Sequence, residues 1–234
     1  MNRYVLFTIL IVISGIYLQG RQLHEDLYQE KISFNDSIPI TFQEKLSNSY
    51  EIPLPAISIA LNGFSDFKSQ NLLKNDSLLT IIDFSASSTE KRFFLLDLKN
   101  QKVLKQTLVA HGKNSGLDFA ESFSNKKRSR KSSLGFYVTG ETYEGKHGFS
   151  LRLDGMSKDL NDNARKRAIV IHGANYVNQD FIKANGRIGR SFGCPALSFD
   201  EANEIIELIK EGSCLFIYHS SLIPISQKDL EKLP

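Results

Sequence analysis

Gly189-Arg190-Ser191-Phe192-Gly193-Cys194-Pro195-Ala196-Leu197 places one of the two cysteines of this 234-residue chain between a glycine and a proline. Glycine lets another backbone or a ligand approach closely, and proline fixes φ and has no N–H to donate. These neighbours favour a tight, irregular turn over a packed strand. Cys194 could therefore pack in the interior or act as a nucleophile, and the rest of the sequence is needed to distinguish these two roles.

A helix is predicted immediately after this loop. Ser198 and Glu201 have the spacing of a capping box, and Gly212 is typical of a helix end. Between them, one apolar face recurs at helical spacing and consists of Ala202, Ile205, Ile206 and Ile209. The cysteine loop is therefore expected to be supported by a helix on its C-terminal side.

Seven segments have the composition of β-strands. They are Ser77–Phe84, Phe93–Leu98, Val103–Val109, Gly135–Thr139, Phe149–Leu153, Ala168–Ile171 and Cys214–Tyr218. Before them, residues 21–74 are interrupted by prolines, and apolar residues recur at helical spacing at Ile57, Leu61, Phe64 and Phe67. The chain is therefore predicted to be mainly β with flanking helices (α+β), with short N-terminal helices packed on the core.

The N-terminus predicts export. Arg3 precedes Tyr4–Leu18, an apolar run without charge. A bilayer span takes about 20 apolar residues, and the apolar part of a signal peptide takes about 7–15. Residues 1–20 are thus interpreted as a signal peptide or, if uncleaved, a membrane anchor. The alternative is a buried helix at the start of the domain.

Composition limits the partners. The chain is 41% hydrophobic and 10% aromatic, which suffices for a substantial core, and its net charge is only +3. Nucleic acid is therefore not expected as a partner. The basic run Lys126–Lys131 is interpreted as a solvated surface loop that at most attracts an anionic wall or membrane surface.

The two cysteines have different expected roles. After export they could form a disulfide. However, Cys214 lies in the apolar segment Ser213–Tyr218 and is predicted to pack in a strand, which leaves Cys194 free. Neither cysteine has the spacing of a metal site, and no metal or other cofactor is predicted.

One of the five histidines differs from the others in its position. His172 ends the apolar run Ala168–Ile171 and precedes Gly173, so it is placed to face a cleft from a strand end. A thiol becomes a nucleophile as its thiolate, and a nearby histidine is a common activator. Because Cys194 follows His172 by 22 residues, one loop can bring the two together.

Ile171–Ala174, Ile188–Ala196 and the capped helix together resemble the murein L,D-transpeptidase catalytic-domain family, in the branch with a G-R-S-x-G-C-P-A-L loop. The resemblance covers roughly residues 77–218. It also includes three further stretches, which are Val109–Gly116, Lys131–Tyr137 and Tyr143–Gly148.

The resemblance implies a catalytic centre. Cys194 would be the acyl-accepting nucleophile with a depressed thiol pKa, and His172 would be its base, oriented by the carbonyl of Gly173. Ser191 matches the family's small hydroxyl position. Gly193 would leave room for an oxyanion hole made by backbone amides at Cys194.

Substrate recognition departs from the common motif. Phe192 and Ala196 replace its usual histidine and asparagine, and the arginine that commonly follows the cysteine is absent. Binding of the substrate carboxylate is therefore expected from residues nearby. The candidate substrate-binding residues are Arg190, Arg187, Tyr143, His147 and His111.

The resemblance also implies a β-sandwich-like L,D-transpeptidase domain over residues 77–220, preceded by a helical and loop extension at 21–76 and followed by a tail at 221–234. The expected partners are peptidoglycan stem peptides, as acyl donor and acceptor. Hydrolysis of the same bond by an L,D-carboxypeptidase or endopeptidase remains an alternative, as does a non-catalytic cell-wall-binding module. A papain-like protease is not expected, because its cysteine would precede its histidine in the chain, whereas here His172 precedes Cys194.

Overall fold

Residues 38–222 are described in the computed structural model, and their helices and strands follow one another with short connections. The helices are α1 (Ile40–Tyr50), α2 (Leu54–Ser69), α3 (Gln179–Asn185) and α4 (Phe199–Ile209). The strands are β1 (Asn75–Asp83), β2 (Phe93–Asp97), β3 (Lys102–Thr107), β4 (Gly135–Gly145), β5 (Gly148–Gly155), β6 (Val170–Gly173), β7 (Ala196–Leu197) and β8 (Ser213–Tyr218).

The predicted signal or anchor at residues 1–20 lies outside the described residues, as does the predicted tail from residue 223 onward. Between residues 38 and 222, no helix is both long enough and apolar enough to span a bilayer.

All eight strands belong to one mixed sheet in the order β3-β2-β1-β8-β4-β5-β6-β7. Neighbours are antiparallel except for the pairs β1–β8 and β6–β7. Strand β8 lies in the interior of the sheet, and each of its residues is buried, which matches its almost unbroken apolar sequence. Cys214 is fully buried there, as predicted. The predicted class, mainly β with flanking helices, is confirmed.

Helix α2 covers β1 and β8. Pro53 precedes it, a position that a helix tolerates because the missing N–H needs no partner there. The four residues at helical spacing (Ile57, Leu61, Phe64 and Phe67) are buried, as expected from the pattern. Gly63 lies against the ring of Phe136, which also stacks on Phe216 of β8 with 4.4 Å between ring centroids. This apolar layer holds the helix on the sheet.

Helix α4 packs on β5 and β6 through its apolar face. Its start differs from a capping box, because the Ser198 hydroxyl donates to the Glu201 carboxylate at 3.0 Å and makes no bond to a backbone N–H. Thr107 donates to the same carboxylate. The helix ends at Ile209, since Lys210 is extended and the chain turns before Gly212. The helix thus supports β6, where His172 lies.

Other elements also differ from the sequence-based prediction, and β7 was not among the predicted strands. Strand β4 extends to Gly145 rather than Thr139, as an exposed hairpin with β5 whose register shifts between Thr139 and Thr142. That shift breaks the period-two pattern on which strand recognition depends. Helix α3 was not predicted; it has seven residues and no buried ones, so it leaves no apolar periodicity.

Replacement of Gly63 by alanine tests the packing of α2. A Cβ at this position would lie 2.1 Å from the Phe136 ring. We expect Gly63→Ala to lower the free energy of unfolding by about 2 kcal/mol through overpacking, although alanine is favoured over glycine within helices by about 1 kcal/mol. Urea denaturation measures the change. The control is Ser58→Ala on the exposed face of α2, and a Gly63→Ala protein as stable as the wild type would contradict this packing.

Candidate active site

The cysteine loop is held in one shape by its own side chains and by a close backbone contact. Ser191 Oγ accepts from the Gly193 N–H at 3.0 Å and donates to the Cys194 carbonyl at 2.6 Å. Gly193 has φ +124°, and a Cβ there would lie 2.8 Å from the Lys131 carbonyl oxygen. Only glycine fits that conformation and that space.

Two other segments of the chain meet this loop, so that three segments are in contact here. Ala110 pairs with Ala196, and Gly112 pairs with Ser191. The buried Ser132 hydroxyl joins all three segments, since it accepts from the Gly112 N–H at 3.0 Å and donates to the Gly193 carbonyl at 3.3 Å. These segments are the stretches around residues 110–116, 131–137 and 188–196 that carried the family resemblance.

Cys194 is half-buried, and its thiol donates to the Ala168 carbonyl at 3.7 Å. Burial raises the pKa of the Cys194 thiol, and the hydrogen bond from the Val170 N–H and the charges of Arg167 and Lys146 lower that pKa by a smaller amount. The balance contradicts the predicted depression, because the desolvation of a thiolate outweighs two cations at this position. The thiol is therefore protonated at neutral pH.

His172 is 3% exposed and lies on β6, in register with Ser150 of β5 and Ala196 of β7. Its Nδ1 is 2.8 Å from the carbonyl oxygen of Gly173. Because a carbonyl can only accept, Nδ1 carries the proton and Nε2 keeps its lone pair. Burial lowers the pKa of His172, and nearby His147 and Lys146 lower it further, while the Gly173 carbonyl raises it. The imidazole is neutral and basic at Nε2.

His147 covers the His172 ring, with centroids 4.3 Å apart and planes 21° from parallel. It projects from the β4–β5 turn and is exposed. Partial burial lowers the pKa of His147, and the charge of Lys146 lowers it further. Tyr143 lies farther away: its partner Ser150 separates it from His172, and the Arg152 guanidinium lies 4.4 Å above its ring. The structure thus brings His147, but not Tyr143, into contact with His172.

His111 has no exposed surface, so its position does not fit the predicted contact with substrate. Its Nδ1 accepts from Arg92 at 2.8 Å, and Arg92 also donates to the carbonyls of Val109 and Ala86. Burial lowers the pKa of His111 to about 3, and the adjacent Arg92 charge acts in the same direction. His111 supports the segment behind the cysteine loop.

Arg190 and Arg187 both donate hydrogen bonds to backbone carbonyls. Arg190 donates to the carbonyls of Lys113 and Gly116, at 3.0 and 2.8 Å, and Arg187 donates to the Ile188 carbonyl at 2.8 Å. Both line a shallow cleft of about 290 Å³ together with Tyr176, Phe181, Lys113 and Gly189. Because their guanidinium groups already donate to backbone carbonyls, fewer of their N–H donors remain for a substrate carboxylate.

A larger cleft, of about 540 Å³, was missed by the sequence-based prediction. It is lined by Asn114, Arg128, Arg130, Arg167, Ile169 and Phe192. Arg128 and Arg130 belong to the basic run that was interpreted as a solvated loop. Its alternation of arginine and serine gave no indication of a cleft, since charged runs usually face solvent.

Arg167 was also missed, because it follows Arg165 and Lys166 and looks like any surface cation. Its guanidinium donates to the carbonyls of Ser124 and Lys131, both at 2.6 Å, and to the Ser133 hydroxyl at 3.0 Å. It thereby fastens residues 124–133 beside the cysteine loop.

A family model for the L,D-transpeptidase catalytic domain matches residues 48–218. The chain belongs to this family. The matched residues include helix α2 as well as the predicted catalytic region. No curated protein matches the sequence significantly.

Several solved structures, L,D-transpeptidases among them, resemble this one distantly. An L,D-transpeptidase from Mycobacterium smegmatis shares 13% identity over 61% of this chain and 58% of its own, with a TM-score of 0.39. The helical cell shape determining protein Pgp2 from Campylobacter jejuni shares 14% identity over 61% of this chain and 48% of its own, also with a TM-score of 0.39. This L,D-transpeptidase family member thus spans less than two thirds of those chains.

Both cysteines of this family member are free thiols. No group of three or more His, Cys, Asp and Glu side chains between residues 38 and 222 is arranged to hold a metal ion. The chemistry available at the site is that of a thiol, an imidazole and backbone amides.

The pKa of Cys194 can be measured by alkylation. We expect the rate of iodoacetamide modification to rise with pH, with a midpoint above the ordinary thiol value of about 8.5, because burial disfavours the thiolate. His172→Ala should leave that midpoint unchanged, since the neutral imidazole adds no charge. In a Cys194→Ala control the buried Cys214 should not react while the protein is folded. A midpoint below neutral pH would instead indicate a thiolate–imidazolium pair.

The buried His111 should make stability depend on pH. The unfolded chain takes up a proton near pH 6.5, whereas folded His111 takes one up only near pH 3. Stability should therefore fall as pH decreases from 6.5 toward 3, by up to about 1.4 kcal/mol per pH unit. His111→Asn keeps an acceptor for Arg92 but does not titrate, so it should flatten this slope in urea denaturation at pH 4–7. An unchanged dependence of stability on pH in His111→Asn would contradict the assignment of this effect to His111. The control is His219→Asn, at a partly exposed site.

Proposed function

We propose that this protein is an exported cysteine L,D-transpeptidase that acts on peptidoglycan stem peptides through a Cys194 thioester, with His172 as the base. The observation that carries the proposal is the state of His172. Its Nδ1 is held by the Gly173 carbonyl at 2.8 Å, one strand away from the cysteine loop, so Nε2 is free to accept a proton. The apolar run Tyr4–Leu18 supports export.

Acylation begins with both the Cys194 thiol and the His172 imidazole uncharged. The thiol of Cys194 gives its proton to His172 Nε2 as the sulfur attacks the carbonyl carbon at the L-centre of the third stem residue. The Gly173 carbonyl stabilises the imidazolium that forms, since it accepts from Nδ1–H in both protonation states. The imidazolium then protonates the leaving amine of D-alanine, and a thioester remains on Cys194.

The cysteine loop provides a donor for the oxyanion of that step. Among residues 38–222, nothing accepts a hydrogen bond from the Cys194 N–H, whereas the Gly193 N–H is bound to Ser191. One free amide next to the nucleophile suits an oxyanion, and such a donor contributes about 100–1,000-fold in rate. Ser191 positions this amide by holding the loop on both sides of it.

The thioester keeps the energy of the broken bond, so an amine of a second stem peptide can close a cross-link without ATP. His172, neutral again, takes the proton of the attacking amine and returns it to the thiol as the thioester breaks. Attack by water would give an L,D-carboxypeptidase by the same route.

The proposal is tested with purified muropeptides and mass analysis of the products. Wild type should give a cross-linked product. Cys194→Ala should abolish turnover, and His172→Ala should reduce it by about 100–10,000-fold through loss of the base. Cys214→Ala is the matched control, since that thiol lies in β8 and should affect stability alone.

Acylation can be followed separately by intact mass after incubation with a carbapenem, which acylates cysteines in this family. An adduct is expected on wild type and on Cys214→Ala, with little on His172→Ala. A trimmed stem without cross-link would indicate the hydrolase. Muropeptides left unchanged would contradict an enzyme, and turnover by Cys194→Ala would exclude the thioester.

A further inference from the structure

The 540 Å³ cleft beside the cysteine loop has cationic walls and no acidic residue among those that line it. Elsewhere on the surface, Arg165 is neutralised by both Asp154 and Glu141. Within residues 38–222, the Arg128 and Arg130 guanidinium groups make no ion pair or hydrogen bond. Two unpaired guanidinium groups at one cleft suit an anionic ligand.

The arginines are held at the cleft by their backbone. The Asn114 side-chain amide donates to the Ser129 carbonyl at 2.8 Å, and the Asn114 N–H donates to the Arg130 carbonyl at 3.1 Å. Arg128 and Arg130 both have left-handed φ values, +62° and +56°. The loop therefore keeps a defined path along the 110–116 segment, although both side chains are exposed.

The cleft shares a wall with the thiol. Arg167 and Ile169 line it, and the carbonyl of Ala168 between them accepts from Cys194 Sγ. The position of a Gly193 Cβ would lie 3.3 Å from both side chains. A group bound in the cleft is thus adjacent to the residue that would carry the acyl group.

The third arginine of the cleft differs from the other two. Arg167 already donates to the carbonyls of Ser124 and Lys131, so it is not available to a ligand in the same way.

Phe192 adds an aromatic side chain to the cleft. It is 61% exposed, and Lys113 and Arg130 lie 5.2 Å and 4.8 Å from the centroid of its ring. It offers an apolar surface beside the free guanidinium groups, as a peptide with both a carboxylate and an aliphatic chain requires.

We propose that Arg128 and Arg130 bind a free carboxylate of the acyl-donor stem peptide and so position its scissile carbonyl at Cys194. The inference rests on the proposed function and assigns to these residues the recognition expected of Arg190 and Arg187. Two carboxylates of a donor tetrapeptide have the required chemistry: the one on the side chain of its diamino acid, where present, and the one at its C-terminus.

The test measures binding separately from turnover. Three forms of a donor tetrapeptide with a diamino-dicarboxylic third residue are used: unmodified, amidated on the side-chain carboxylate, and amidated at the C-terminus. Affinity is measured by calorimetry on full-length protein carrying Cys194→Ala, alone and combined with Arg128→Gln and Arg130→Gln. The matched control combines it with Lys126→Gln and Lys127→Gln, which remove the same charge from the same loop outside the cleft.

One of the amidations should weaken binding about tenfold, the scale of two partly exposed charge-assisted contacts. The double arginine variant should bind the unmodified peptide about as weakly and lose the discrimination, whereas the double lysine variant should keep it. The amidation that weakens binding identifies the carboxylate. Equal affinity for all three peptides, or discrimination that survives in the arginine variant, would overturn the proposal.

Turnover by protein with Cys194 intact distinguishes a failure of the carboxylate site from a failure of the proposed function. The arginine variant should show a raised KM, and the salt dependence of KM should decrease. Discrimination in binding without any turnover would reject the proposed function and keep the carboxylate site. Turnover by the wild type with no discrimination would keep the function and reject the site.

Discussion

The buried hydroxyl of Ser132 joins the three segments that make the site. It accepts from the Gly112 N–H and donates to the Gly193 carbonyl, and its own N–H is bound by Ser115. A Cβ on Gly112 would lie 3.0 Å from the Gly193 Cα, so the segments approach as closely as backbones can. Such an approach excludes water, and every polar group within it needs a protein partner. The shape of the cysteine loop therefore depends on residues 60 to 80 positions earlier in the chain.

A buried cation supports this junction from behind. Arg92 is 1% exposed and donates to Val109, Ala86 and His111. Burial lowers its pKa to about 9, and Asp118 opposes that effect. A buried charge is costly, but removing one of its partners costs more because the charge remains. The 109–111 segment is therefore fixed, and the Ser191 N–H bonds to the carbonyl of His111 at 3.0 Å.

The sequence predicted those parts of the fold that follow local rules. Buried strands such as β8 and the amphipathic helices α2 and α4 were recognisable from apolar periodicity and composition. The position of Cys194 between glycine and proline indicated its turn. The partners of that turn were not predictable, because Ser132 and Arg167 reach it through tertiary contacts that leave no local pattern. The pKa of Cys194 was mistaken for the same reason, since burial is a property of the assembled fold.

His172 and the arginine-lined cleft differ in their electrostatics. Burial and the Gly173 carbonyl keep His172 neutral with a defined tautomer, so neither the imidazole nor the thiol is charged in the resting protein. The unpaired guanidinium groups of Arg128 and Arg130 create a positive field within the cleft. A bound carboxylate would neutralise part of that field and remove water from the cleft, which raises the cost of a free thiolate further. Proton transfer to Nε2 during attack, rather than before it, is the route that this arrangement favours.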